Sequence, residues 1–220
     1  MSTTSARTLS GASPWLIATR SVGKLRELRP IFAGAGVAVI DLTEADIEEA
    51  AAEESIEIHE TFEGNASAKA RYFFERGGGR NVIADDSGLQ VDALGGAPGV
   101  RSKRWSGRID LLPPELDLAN NALLQSRLAG VADRRARFVC AAGWCGPAGT
   151  LVVRGEVPGI IVDDAEGEHG FGYDPHFFST ELGMTLAAAS TAEKQQVSHR
   201  GRAFAALIVA LRARGVLEAR

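Results

Sequence analysis

Apolar runs of a few residues, each closed by glycine or polar positions, alternate along this chain with stretches whose apolar residues return every three or four positions. The first kind predicts short strands and the second amphipathic helices, so the pattern is that of an α/β fold. Trp15–Thr19 and Val37–Ile40 are the first two predicted strands. Between them Leu25, Leu28 and Phe32 mark one face of a helix that Pro30 kinks or shortens. A second helix is predicted from Thr61, its N-cap, to about Glu75, where Gly77-Gly78-Gly79 stops it. Ala66, Ala70 and Phe73 form its apolar stripe, and Asn65 and Lys69 share a neighbouring face. Pro113-Pro114-Glu115 opens a third helix built on Leu116, Ala119, Leu123 and Leu124. Phe138–Trp144 and Leu151–Val153, joined through Gly146-Pro147, read as a hairpin, which makes the central sheet mixed. Gly155, Pro158 and Gly159 interrupt the next strand, which ends near Val162. Ser190-Thr191-Ala192-Glu193 is a capping box with Lys194 in the first turn, and Phe204, Leu207, Ile208 and Leu211 form the closing helix. Ser198-His199-Arg200-Gly201 either interrupts that helix or lies on its polar face.

The stretch Val82–Gly107 organises the rest. Val82-Ile83-Ala84 is a short buried strand, and Asp85-Asp86-Ser87-Gly88 ends it and turns the chain, so two carboxylates arrive at a sheet edge. Neighbouring strand residues point to opposite faces, so Asp85 and Asp86 have different jobs, one toward a cleft and one toward a supporting partner. Taken alone, such a turn is more often simply solvated. Here Gly95-Gly96-Ala97-Pro98-Gly99 and the cations Arg101, Lys103 and Arg104 follow it. Acids for a metal beside cations for phosphates point to a nucleotide site.

Charge narrows the partners. The chain has 220 residues and a formal net charge of -4, so no basic surplus marks a nucleic-acid binder, and a small anion is the easier substrate. Asp41–Glu60 is densely acidic with no Lys or Arg, mostly as a solvated face, with one acid available to a metal. No apolar run reaches membrane-spanning length, and Cys140 and Cys145 read as buried, reduced thiols of a cytoplasmic protein. Residues 1–13 read as a frayed tail ahead of a single domain over 14–220.

Two further motifs carry chemistry. In Thr19-Arg20-Ser21-Val22-Gly23-Lys24 a strand, a glycine-bearing loop, a lysine and a helix start form an anion cradle, although Lys24 alone also reads as a solvated first-turn residue. In Gly170-Phe171-Gly172-Tyr173-Asp174-Pro175, glycines allow close approach, Phe171 and Tyr173 offer stacking faces and Asp174 an acceptor; a packed aromatic loop is the commoner fate of such a motif.

TRSVGK, TFEGNASAKA, ADDSGLQVDALGGAPGVRSKRWSG, GEVPGII, GFGYDPHFF and EKQQVSHRG stand in this order over nearly the whole chain. Together they resemble the Ham1/RdgB family of non-canonical purine nucleoside triphosphate pyrophosphatases. The resemblance implies conversion of ITP, dITP and XTP to the monophosphate plus pyrophosphate, with Mg²⁺, by a cytosolic homodimer. It also implies an elongated α/β fold with a cleft between two lobes. Carried over by motif, Asp86 is the proton acceptor and a metal ligand, and Glu57 is the best match to a second metal-binding acid. Thr19, Arg20, Ser21, Val22, Gly23 and Lys24 form the phosphate loop, and Lys69 and Ser87 also touch the triphosphate. Phe171, Gly172, Tyr173, Asp174, Lys194, His199 and Arg200 hold the base and sugar. The chain departs from the family at Ser21, where Asn is usual, at Gly64, where Glu is frequent, at Ala188, where a Glu is frequent, and in Ile56-Glu57-Ile58-His59-Glu60 before Thr61.

The chemistry expected of this set is in-line attack of water on the α-phosphorus, with Asp86 orienting or deprotonating it. At the ordinary carboxylate pKa of about 4, Asp86 is a weak base. Lys24, Lys69 and Arg104 are candidates to balance the leaving pyrophosphate. Discrimination rests on the purine 6-position, where donors from His199, Arg200 or the Phe171–Asp174 backbone pair with O6 and are left unpaired by adenine. The rival readings are a pyrophosphatase for other nucleotides and a non-catalytic nucleotide-binding module.

Overall fold

The computed structural model describes residues 13–218, so nearly all of the tail expected over 1–13 lies outside the described residues. Seven strands form one mixed sheet in the order β2-β1-β3-β4-β5-β6-β7. They are β1 (Trp15–Ile17), β2 (Val39–Asp41), β3 (Val82–Val91), β4 (Arg135–Gly146), β5 (Gly149–Ile161), β6 (Phe177–Ser179) and β7 (Met184–Thr185). The helices are α1 (Val22–Ala35), α2 (Phe62–Arg76), α3 (Glu115–Leu128), α4 (Thr191–Val197) and α5 (His199–Ala213). β1 pairs in parallel with β2 and β3, and the remaining pairings are antiparallel.

The sheet buries both faces. On one, Ile17, Ile83, Cys140, Ala142 and Trp144 pack under Leu28 and Phe32 of α1 and Phe204 and Leu207 of α5. On the other, α2 covers the strands through Ala66, Ala70 and Phe73, joined by Leu16, Val82 and Ala84. A separate core at the far end of the sheet gathers Leu89, Val91, Phe138, Val157, Tyr173 and Phe177 with Leu124 and Leu128 of α3. Each end of the sheet thus carries its own lobe.

Several local expectations hold. Thr61 Oγ1 accepts from Gly64 N at the start of α2, and the Ser190/Glu193 capping box closes in both directions. Ser198 breaks the last helical stretch in two, since its Oγ accepts from Gly201 N (2.9 Å) and caps α5. Others do not. Asp85-Asp86-Ser87-Gly88 is not a turn; it is the middle of β3, with Asp85 opposite Ala142 and Asp86 opposite Ala141. β4 supplies an unbroken antiparallel partner along the whole of β3, so the strand has no reason to end at Ala84. Gly88 serves close approach rather than turning, because a Cβ there would lie 2.5 Å from Gly99 O. Nor do Gly155, Pro158 and Gly159 interrupt β5; Pro158 precedes the three residues paired with β6, where that edge of β5 asks nothing of its missing N–H. Pro30 does not shorten α1, which continues to Ala35.

The expected sheet edge does exist, made differently. β1 pairs with β3 only at Val82 and Ile83, and the last contact is Ala18 N to Ile83 O (2.8 Å). Beyond it β3 loses its parallel neighbour, so Asp85 and Asp86 lie past the carboxyl end of β1, where open α/β sheets place ligands.

Candidate active site

Strand pleating sends Asp85 and Asp86 to opposite faces, and the two meet opposite environments. Asp85 faces α1 and α5. Its Oδ2 takes Lys24 Nζ at 3.0 Å, Arg200 Nε at 3.2 Å and Ser87 Oγ at 3.2 Å. Burial alone would raise its pKa, but Lys24, Arg200 and Lys69 outweigh that and hold it well below the usual carboxylate range. Asp86 faces α2, where Asn65 Nδ2 donates to Oδ2 (2.9 Å) and Ser87 N to Oδ1 (3.0 Å). Burial dominates there and pushes Asp86 up to about 6, only partly opposed by Lys24, Asn65 and Lys69. Asp86 is thus a stronger base than its residue type implies.

The lysines close over the strand from its two sides. Lys24 reaches from the first turn of α1, whose N-cap is Ser21 (Oγ to Lys24 N, 3.4 Å). Lys69 reaches from α2 to the backbone O of Asp85 (3.1 Å) and pairs with Glu57. Burial would lower the Lys69 ammonium, but Glu57 and Asp85 win and raise it, so it stays charged.

A chain of alternating charges runs from here to the second motif. Arg200, buried, joins Asp85 to Glu27 of α1; Glu27 also takes Lys194 at 3.0 Å; and Lys194 holds Asp174 at 2.7 Å. Glu27 is pulled down to about 2, because Arg200 and Lys194 outweigh the penalty of burying it. Asp174 Oδ2 accepts from Phe171 N (2.8 Å), which tightens the loop. The Phe171 ring stays 39% exposed, with Lys194 Nζ 5.1 Å from its centroid and Arg200 Cζ at 6.0 Å. The same ring lies against the phosphate loop, since a Cβ on Gly23 would sit 2.8 Å from it.

The sequence-predicted residues therefore gather along one path: Lys24, Lys69, Asp86, Ser87 and Glu57 around β3, and Phe171, Asp174, Lys194 and Arg200 beside them. Four stand apart from the arrangement expected. Arg20 is turned away, forked onto Glu53 (2.8 and 3.0 Å). Tyr173 is buried and donates its hydroxyl to Ser102 O (2.8 Å), so only Phe171 offers an accessible ring. His199 is buried, stacked on Phe138 at 4.8 Å with 13° between planes, and burial keeps it neutral by holding its pKa well below the usual value. Arg104 is exposed on the helical turn Gly99–Arg104. Val22 is exposed on the first turn of α1, and Thr19 Oγ1 accepts from Ser21 N (3.2 Å). The departure at Gly64 has a local reason, because a Cβ there would lie 2.8 Å from His59 Cβ.

Sequence reasoning missed Glu27. On α1 it lies well around the helix from Leu25, Leu28 and Phe32, so periodicity assigns it to the solvated side, and only the packing of α5 buries it. It also missed Asp117 and Asn121, which hold Gly172 from α3.

Comparison with known proteins follows this geometry. A family model described as the Ham1 family matches residues 15–210. The dITP/XTP pyrophosphatase of Mycolicibacterium paratuberculosis is 48% identical over 210 residues, covering 92% of this chain and 100% of that protein. The structure of the Staphylococcus aureus Ham1 protein superposes with a TM-score of 0.78 at 37% identity, covering 92% of this chain and 100% of that one. A nucleoside-triphosphatase / dITP/XTP pyrophosphatase from Mycobacterium abscessus gives a TM-score of 0.67 at 41% identity, over 89% of this chain and 98% of that one. A family model over residues 15–210 and relatives of this identity and coverage show that the chain belongs to the Ham1 family.

Proposed function

We propose that the protein hydrolyses non-canonical purine nucleoside triphosphates (ITP, dITP and XTP) to the monophosphate and pyrophosphate, keeping them out of DNA and RNA. The observation that carries this reading is β3 itself: a basic, buried Asp86 on one face, with Lys24 and Lys69 reaching its open edge and the Phe171 ring beside the same phosphate loop. Relatives named dITP/XTP pyrophosphatase support the substrate class.

A divalent metal fits the donors present. Mg²⁺ is typically held through one or two carboxylates plus substrate phosphates rather than by a cage of protein ligands. Asp86 keeps unused lone pairs on both carboxylate oxygens, and Glu57, paired with Lys69, is the second acid close enough to influence it. When bound, Mg²⁺ would neutralise charge on the phosphates and favour attack at phosphorus. The chain's own residues do the rest. Asp86 orients the attacking water and accepts its proton, with Asn65 and Ser87 N–H aiming the carboxylate. Lys24 and Lys69 offset the charge that develops on the leaving pyrophosphate, and Ser87 adds a hydroxyl next to them. Phe171, Gly172, Tyr173, Asp174, Lys194 and Arg200 belong to the base end: Phe171 supplies the stacking face, Lys194 and Arg200 lie under it, and Tyr173 and Asp174 shape the loop, while His199 backs it from the core against Phe138.

The family resemblance also carries a homodimer and a cytoplasmic setting, and no described helix is long and apolar enough to cross a membrane. Sedimentation measures the first directly. For the reaction, pyrophosphate release from ITP, XTP, GTP and ATP is compared with Mg²⁺ and with chelator. ITP and XTP are turned over, GTP and ATP are slower by about 100-fold, and chelation stops turnover while far-ultraviolet circular dichroism is unchanged. Equal turnover of all four, or none of any, overturns the assignment.

A further inference from the structure

We infer that Asp117 and Asn121 of α3 are positioning residues for purine recognition, a clamp that sets the Phe171 ring by holding the peptide groups of Gly172. The inference rests on the reading of the Phe171–Asp174 loop as the base end of the site. Asp117 and Asn121 are four apart and so share one face of α3. Asp117 Oδ2 accepts from Gly172 N and Asn121 Nδ2 donates to Gly172 O, both at 2.9 Å. One residue thus has its donor and its acceptor tied to the same helix. Gly172 has φ +64°, a left-handed conformation that leaves its backbone groups without a regular partner, so the clamp supplies what secondary structure does not. The residues on either side are the exposed Phe171 ring and the buried Tyr173, whose hydroxyl is tied to Ser102 O (2.8 Å) on the neighbouring turn. Ser102 Oγ in turn accepts from Leu89 N of β3 (2.8 Å), so the loop is referenced to the strand that bears Asp86.

Stability does not explain Asn121. It is 7% exposed, and its Oδ1 is buried without a partner among the described residues. A buried amide with an unmet acceptor is worse for stability than an apolar residue of the same shape, so the position is accounted for by the one bond it makes, to Gly172 O.

Product binding separates this role from general loosening, because the two products report on the two ends of the site. Affinities of inosine monophosphate and of pyrophosphate are measured by calorimetry on the full chain with Mg²⁺, alongside ITP kinetics and thermal melting. Asp117→Ala and Asn121→Leu weaken the monophosphate and raise KM for ITP by about 3- to 10-fold, the worth of one hydrogen bond, and leave pyrophosphate affinity within about twofold. Asp117→Asn keeps an acceptor for Gly172 N and stays near the parent. Unchanged monophosphate affinity in Asp117→Ala, or equal weakening of both products, overturns the clamp. A parent that binds inosine monophosphate without turning over ITP overturns the reaction alone, and the clamp is then judged on binding; a parent that does not bind it overturns both.

Discussion

Asp85 and Asp86 are the same residue type, one peptide apart on one strand, and the fold treats them oppositely. Asp85 sits among three cations that hold it ionised far below the normal range, whereas burial outweighs the cations and the Asn65 amide near Asp86 and pushes it up to about 6. What covers each face of β3 sets the balance: α1 and α5 bring Lys24 and Arg200 into contact with Asp85, while α2 meets Asp86 with the Asn65 amide. Ionisation state here follows the packing partner and not the residue. Under the proposed reaction the contrast divides the labour, the cation-saturated acid organising structure and the other acting as the base.

The sharpest break of this contrast is Asp86→Asn. It keeps the shape and one of the two acceptors, so it loses a single hydrogen bond, from Asn65 or from Ser87 N, and melting falls modestly, while turnover of ITP falls by about a thousandfold or more, the size of a lost general base. Steady-state pyrophosphate release checks it; near-parental turnover would remove Asp86 from the chemistry. Asp85→Asn inverts the outcome. It strips the anion from Lys24 and Arg200 inside the protein and costs about 3–5 kcal/mol of folding stability, read by chemical denaturation. A loss below about 1 kcal/mol would mean the cations find other partners.

Glu27 extends the Asp85 side along the charge chain, and acid tests it. Its folded-state value, about 2, lies below its unfolded one, so its contribution is complete above about pH 4.5 and is lost as the pH falls toward 2. The shift corresponds to about 3 kcal/mol, and Glu27→Gln should flatten stability across that window. The smallest effect belongs to Asn65→Ala, which removes one hydrogen bond donated to Asp86 and another accepted from His59 N, and lowers kcat about tenfold with KM little changed. A rise in KM with kcat intact would assign Asn65 to substrate binding instead.

Local signals were legible where local physics decides. Thr61 and Ser190 stand at helix starts because a side-chain oxygen can satisfy free N–H groups within three residues. The hairpin at Gly146-Pro147 and the core faces of α1, α2 and α5 followed from period and turn chemistry. The error over Asp85–Gly88 came from the same local logic. Two acids, a serine and a glycine imitate a turn, and only the long partner β4 and the close approach of Gly99 make them strand.

By itself, the sequence determined the α/β class, the order of the motifs and the rule that adjacent strand acids cannot share a role, because period, caps and pleat act over a few residues. Tertiary structure decided which acid is held ionised and which is pushed up, that Arg20 turns away to Glu53, that Tyr173 and His199 are core, and that Glu27 joins the buried charge chain. Arg200 and Glu27 lie 173 residues apart along the chain. Burial and charge act through space, and their values exist only once such distant groups have been packed together.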